Sequence, residues 1–120
     1  MKANKLAIIT TLLISASVAA EIPSEITHLL EYVEQSGCEY ERNGRFHSAA
    51  DARAHIMKKY EYYQDDIDST EDFIHYAASK SALSGKYYKI HCSGKEAIRS
   101  QDWLILELNR LRREQRAFNK

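Results

Sequence analysis

The chain predicts an α+β fold: a small antiparallel sheet, made of a hairpin and one further strand, packed with about four helices and closed by one disulfide. Three observations carry that expectation. Apolar residues recur at helical spacing in four separate stretches. The segment from Cys38 to His47 alternates around an Asn43-Gly44 turn signal. Two cysteines, Cys38 and Cys92, stand far apart in a short chain.

The first twenty residues are set aside from the fold. Lys2 and Lys5 precede an apolar run from Leu6 to Ile14, and Ser15 to Ala20 are mostly small. That is the layout of a secretory signal peptide over residues 1–20, with cleavage expected after Ala20 in preference to Ala19. The apolar run falls well short of the ~20 residues a spanning helix needs, so no stable membrane insertion is expected after the signal is removed. Residues 21–120 are then one small domain with one core, about 100 residues long. With Lys2 and Lys5 gone, 15 basic residues face 17 acidic ones, a net charge of about −2. Such a balance gives no electrostatic footprint for nucleic acid. The expected location is the periplasm, an oxidising compartment where an even cysteine pair reads as a disulfide. Closing a loop of more than fifty residues contributes ~4 kcal/mol in the chain-entropy account.

The elements follow in order. Pro23 and Ser24 start a helix with Ile26, Leu29, Leu30 and Val33 inward, and Gly37 stops it. The hairpin comes next. A two-residue turn would split Tyr40 and Phe46 between faces, whereas a three-residue loop, Arg42-Asn43-Gly44, with a bulge pairs them on the face of Cys38. The bulged register is the one expected here, because register decides which face is buried. Ser48, with Asp51 three residues on, caps a helix striped by Ala52, Ile56, Tyr60 and Tyr63, and flanked by His55 and Lys59. Asp65 to Asp68 form a loop. Ser69 and Asp72 repeat the capping pattern for a short helix carrying Phe73, Ile74 and Ala77. A loop through Gly85 feeds a strand from Tyr87 to Cys92, with Tyr88, Ile90 and Cys92 on its inner face, and Ser93-Gly94 turns the chain. Ser100 is expected to cap a last helix with Trp103, Leu104, Leu108 and Leu111 inward. Arg110, Arg112, Arg113 and Arg116 suit its C-terminal dipole.

Chemistry-bearing motifs are few. The two Ser-Gly-Lys triplets do not make a phosphate loop, since Lys95 is followed by Glu96 rather than Ser or Thr. No serine has a lysine three positions later, and no Gly-x-Ser-x-Gly elbow is present. Amides around Ser84-Gly85-Lys86 suit an anion nest, yet Ser and Gly punctuate turns in most chains and the turn takes precedence. His28, His47, His55, His75 and His91 form no metal-ligand motif, so neither a metal nor a cofactor is implied. Tyrosines crowd the middle of the chain. Half of them fit apolar faces, while Tyr62 and Tyr87 suit exposed anchors of an interface.

Cys38, Arg42-Asn43-Gly44, His55, Lys59, Phe73-Ile74, Ala78 to Ser81, Ser84-Gly85-Lys86, Tyr88, Cys92 and Trp103-Leu104 together resemble the YfeK-like family of small bacterial periplasmic proteins, a domain of unknown function. The resemblance spans nearly all of residues 21–120. It implies export and the Cys38–Cys92 disulfide, and brings no established activity. It draws attention to Arg42, Asn43, His55, Lys59, Ser79, Lys80, Ser81 and Ser84 as candidate ligand-facing residues, polar groups in turns or on helix flanks.

Three functional readings stay open. The leading one is a non-catalytic binding or accessory module such as an inhibitor, an immunity-type protein or an envelope factor, with another envelope protein as partner. The second is a binder of a small anionic ligand, or a hydrolase, using a polar cleft around Arg42, His55 and the Ser79–Lys86 loop; its requirement is that Arg42, His55, Lys80 and Ser84 share one pocket. The third is a structural envelope protein without a ligand.

Overall fold

The computed structural model describes residues 4–14 and 21–120; the expected cleavage junction at Ala19 and Ala20 lies outside the described residues. Among the described residues four α-helices pack against one face of a four-stranded antiparallel sheet, in keeping with the α+β expectation. Among the described residues no helix is long and apolar enough to cross a membrane.

Helix α1 spans Ser24–Gln35 and buries Ile26, Leu29, Leu30 and Val33. It ends where Gly37 takes a φ of 67°, a left-handed conformation that glycine adopts without a Cβ clash. Strand β1 (Glu39–Arg42) and strand β2 (Arg45–His47) form the hairpin. Helix α2 (Ala49–Tyr62) starts at Ser48, whose hydroxyl accepts the Asp51 N–H at 3.1 Å, and buries Ala52, Ile56 and Tyr60. A single 3₁₀ turn, Gln64–Asp66, occupies the acidic loop. Helix α3 (Thr70–Ala77) is capped by Ser69 on the Asp72 N–H at 3.0 Å. Strand β3 is Lys89–His91, shorter than Tyr87 to Cys92. A strand not foreseen, β4 (Ile98–Arg99), adds to the far side of β3 and leads directly into helix α4 (Ser100–Phe118).

The sheet order is β2-β1-β3-β4. Its inner face presents Tyr40, Tyr88 and Ile90 to the helices, where they meet Leu29, Leu30, Ile56, Phe73, Ile74, Leu104 and Leu108. Each large apolar side chain buried here contributes ~1.5–3 kcal/mol. Tyr32 stacks on Trp103 at 4.4 Å between α1 and α4, so Trp103 is half-buried at the rim of the core and not inside it. The disulfide Cys38–Cys92 is formed, with Cα atoms 4.5 Å apart across a 54-residue separation. It ties the start of β1 to the end of β3.

Two expectations are corrected. The hairpin turn is the two-residue type: Asn43 and Gly44 both have positive φ, 52° and 76°, and Arg42 pairs with Arg45, Glu41 with Phe46 and Tyr40 with His47. Tyr40 and Phe46 are therefore on opposite faces. The premise that both aromatics belong in the core fails because Phe46 stays more than half exposed and packs edge-on against His91 on the outer face. Ser100 does not cap α4. Its hydroxyl is fully buried and shares a 2.5 Å hydrogen bond with the Tyr40 hydroxyl, which would otherwise lie unpartnered in the core.

Candidate functional site

One end of the molecule gathers polar groups from three segments. The hairpin turn brings Arg42 and Asn43, one flank of α2 and the residue that ends it bring His55, Lys58, Lys59, Tyr62 and Tyr63, and the loop before β3 brings Ser81, Ala82 and Leu83. They line an open groove of about 640 Å³, with Tyr88 at its floor. That volume is within the range of sites for small organic ligands. Beneath it a recess of about 10 Å³, lined by Tyr40, Arg42, His47, Ala52, His55, Ile56 and Tyr88, has room for about one water molecule.

The loop owes its shape to backbone pairing. Residues 79–81 fold back on 86–88: the Ser81 N–H donates to the Lys86 carbonyl and the Tyr88 N–H to the Ser79 carbonyl, both at 2.9 Å, around a bridge of Lys80 with Tyr87. Ser81 Oγ accepts from Asn43 Nδ2 at 3.2 Å, and Ser84 Oγ donates to Asn43 Oδ1 at 2.6 Å. One asparagine carboxamide thus locks the hairpin turn to the loop through both of its ends. Ser84 Oγ also accepts from the Lys86 N–H at 3.2 Å.

The floor is a relay of three polar groups. Lys59 Nζ donates to the Lys80 carbonyl at 2.7 Å and to Tyr88 Oη at 3.2 Å, and lies 5.0 Å from the center of the Tyr88 ring. Because Tyr88 Oη accepts from Lys59, its own hydrogen is available to His55 Nε2, 3.3 Å away. A neutral His55 ring protonated on Nδ1 fits that arrangement. Burial first, and then the positive charges of Arg42, Lys59, His47 and Lys58, hold the imidazole down to about 4, so it is uncharged near neutral pH. Burial first, and Arg42 second, also lower the Lys59 ammonium. Burial raises the Tyr88 phenol, which keeps its proton. Arg42, Lys58 and Lys59 form no ion pair among the described residues, and no acidic side chain lines the groove.

Of the eight candidate ligand-facing residues, Arg42, Asn43, His55, Lys59 and Ser81 come together here. Ser79 is buried and donates to the His75 carbonyl at 2.8 Å, closing the end of α3. Lys80 reaches the groove only through its backbone carbonyl, and Ser84 supports it from behind through Asn43. Arg42, His55, Lys80 and Ser84 therefore do not all point into one pocket, so the requirement set for the anionic-ligand reading is not met as stated; the cations the groove gathers are Arg42, Lys58 and Lys59. The sequence pattern puts Tyr88 in the core, and the groove makes it both core and floor: 2% exposed, yet with its hydroxyl turned to His55 and Lys59. Lys58, Ala82 and Leu83 also line the groove, and a lysine on a helix and two apolar residues in a loop carry no sequence signal. Among the described residues no cluster of three histidine, cysteine or acidic side chains is placed to hold a metal ion.

A family model for a family of unknown function, DUF5329, matches residues 20–112. The match covers most of the chain, including every residue of the groove, and the chain belongs to this family. No curated protein and no solved structure matches it.

Proposed function

We propose that this member of DUF5329 is an exported, non-catalytic binding module that receives an anionic group in the groove between α2, the hairpin turn and the loop at 81–83. The observation that carries the reading is the set of three unpaired cations, Arg42, Lys58 and Lys59, around a neutral His55 in a concavity with no acid in its lining. An incoming carboxylate or phosphate would meet charge-assisted donors already in position, and the tyrosine walls suit an apolar portion next to the anion. Binding is favoured over hydrolysis because the Ser81 and Ser84 hydroxyls are engaged in shaping the loop, and His55 is turned to Tyr88. Export and the finer resemblance to periplasmic YfeK-like proteins are part of the same proposal, supported by the charged, apolar and small-residue layout of residues 1–20.

Titration of ¹⁵N-labelled protein with N-acetyl-glutamate and with inorganic phosphate tests it. Saturable shifts centred on Arg42, His55, Lys59 and Tyr88 are expected. Shifts scattered over surface lysines, without saturation, would refute the site. Mass spectrometry of the secreted form, expected to begin at Glu21, tests the export arm separately.

A further inference from the structure

The groove adjoins a second basic concavity. On the outer face of the sheet, a hollow of about 310 Å³ is bordered by Glu41, Asn43, Lys86, Tyr87, Lys89 and Arg99. The register explains it: Glu41 pairs with Lys89 and Lys89 with Arg99, so all three point to the same face. The Arg99 guanidinium lies 4.1 Å from the center of the Tyr87 ring, which holds it against the surface. Asn43 borders both hollows, which open on opposite sides of the hairpin tip with the bonds of Asn43 to Ser81 and Ser84 between them. Together they set Arg42, Lys58, Lys59, Lys86, Lys89 and Arg99 against one carboxylate, Glu41, which is itself turned to His91 at 3.2 Å. Residues 21–120 carry 15 basic against 17 acidic residues, so the cations at this end are a local grouping and not part of a general positive excess. The rim adds apolar contact, with Leu83 98% and Tyr62 81% exposed.

From this shared border and the cations on either side of it we infer that the hairpin tip is the docking surface for an extended acidic peptide segment of a partner protein. The segment seats one carboxylate at Arg42 and Lys59, lays an apolar side chain on Leu83 and Tyr62, and crosses Asn43 to further carboxylates at Lys86, Lys89 and Arg99. The inference rests on the anion site proposed above and adds its occupant. Three features select a peptide. Lys59 is recessed against the Lys80 carbonyl and the Tyr88 hydroxyl, where a single chain reaches it and a flat layer of lipid headgroups does not. Glu41 disfavours an unbroken run of phosphates, whereas a peptide can set a backbone N–H opposite it and keep its carboxylates at the lysines and arginine. Leu83 offers aliphatic surface that matches a side chain better than a nucleobase.

Three probes decide the matter: N-acetyl-glutamate, a fluorescein-labelled peptide of alternating glutamate and leucine, and phosphatidylglycerol vesicles. The peptide is expected to bind about tenfold or more tightly than N-acetyl-glutamate, because its contacts are linked. Lys86→Gln combined with Lys89→Gln is expected to weaken the peptide about fivefold and leave N-acetyl-glutamate unchanged. Leu83→Ser, a change at an exposed loop tip, is expected to weaken the peptide by a larger factor than it weakens N-acetyl-glutamate. A peptide that binds no more tightly than N-acetyl-glutamate, or that ignores the lysine pair, overturns the inference and leaves the anion site standing. Sedimentation with vesicles that the peptide does not reverse overturns it in favour of a lipid surface. Failure of both N-acetyl-glutamate and the peptide to bind removes the anion site and the inference together.

Discussion

The two ends of this molecule use charge in opposite ways. On the side where α1, α3 and α4 meet, charges pair across the helices. Arg112 donates to both oxygens of Glu25, at 2.9 and 3.0 Å, and reaches Glu71 at 2.6 Å, while Thr70 adds a 2.7 Å bond to Glu25. Glu107, only 6% exposed, accepts from Arg110 and lies 2.8 Å from His28. Arg53 and Glu34 pair α2 with α1 in the same manner. On the groove side Arg42, Lys58 and Lys59 stand without acids around a histidine that they help keep neutral. Paired charges record how helices are held together; unpaired cations in a concavity lower stability slightly and leave attraction for something else.

The largest expected effect tests whether the two ends are separable. Replacing Cys38 and Cys92 by serine should cost ~4 kcal/mol in urea unfolding, as expected for freeing a long loop. The staple sits at the start of β1, and the groove is built at its other end on Arg42. The folded double variant should therefore keep its affinity for N-acetyl-glutamate, and a parallel loss of affinity would show the two ends to be coupled.

Arg42→Gln probes the groove directly. Affinity for N-acetyl-glutamate should fall by about 2 kcal/mol, the scale of a hydrogen bond to a charged group. The melting temperature should hold or rise, because the guanidinium disfavours the charged forms of both Lys59 and His55. Arg112→Ala should do the reverse. It should lower stability by about 1–2 kcal/mol through the loss of a bidentate carboxylate contact and leave calorimetric binding unchanged.

The smallest effect separates the ends by pH. His55 is held below its ordinary value of 6.5, down to about 4, so the unfolded chain binds this proton more readily than the folded one. Its contribution is complete above pH 6.5 and is lost as pH falls toward 4, on the order of 1 kcal/mol given its partial exposure to solvent. Glu25 and Glu107 are lowered from 4.5, chiefly by their arginine partners, so their contribution is complete above pH 4.5 and fails only below it. Acid unfolding should therefore begin with a shallow loss from the groove side between 6.5 and 4.5, followed by a steeper one from the helix side. His55→Gln should flatten the first arm alone when melting temperature is followed against pH.

Local chemistry made much of this fold legible. Ser48 and Ser69 cap their helices through the backbone three residues ahead, and such short-range bonds can be read from spacing. Ser100 looked the same in sequence, yet its partner is Tyr40, 60 residues away. The hairpin register turned on whether Phe46 sits in the core, and that depended on His91 in a distant strand. At the site, Arg42, Asn43, His55, Lys59 and Ser81 were within reach of the sequence as polar residues with no evident duty in the core. Tyr88 was not, because its ring belongs to the core and only its hydroxyl belongs to the groove.

What the sequence alone determined are the features set by near neighbours or by covalent arithmetic: helix starts and apolar stripes, the Asn43-Gly44 turn, and a pair of cysteines with only each other to join. What only the tertiary structure decided is which face of the hairpin is buried, where the short strand β4 pairs, and that three segments bring their cations to one concavity. The physical reason is range. Capping and periodicity act within a few residues, whereas a groove exists only where packing of the core brings distant segments side by side.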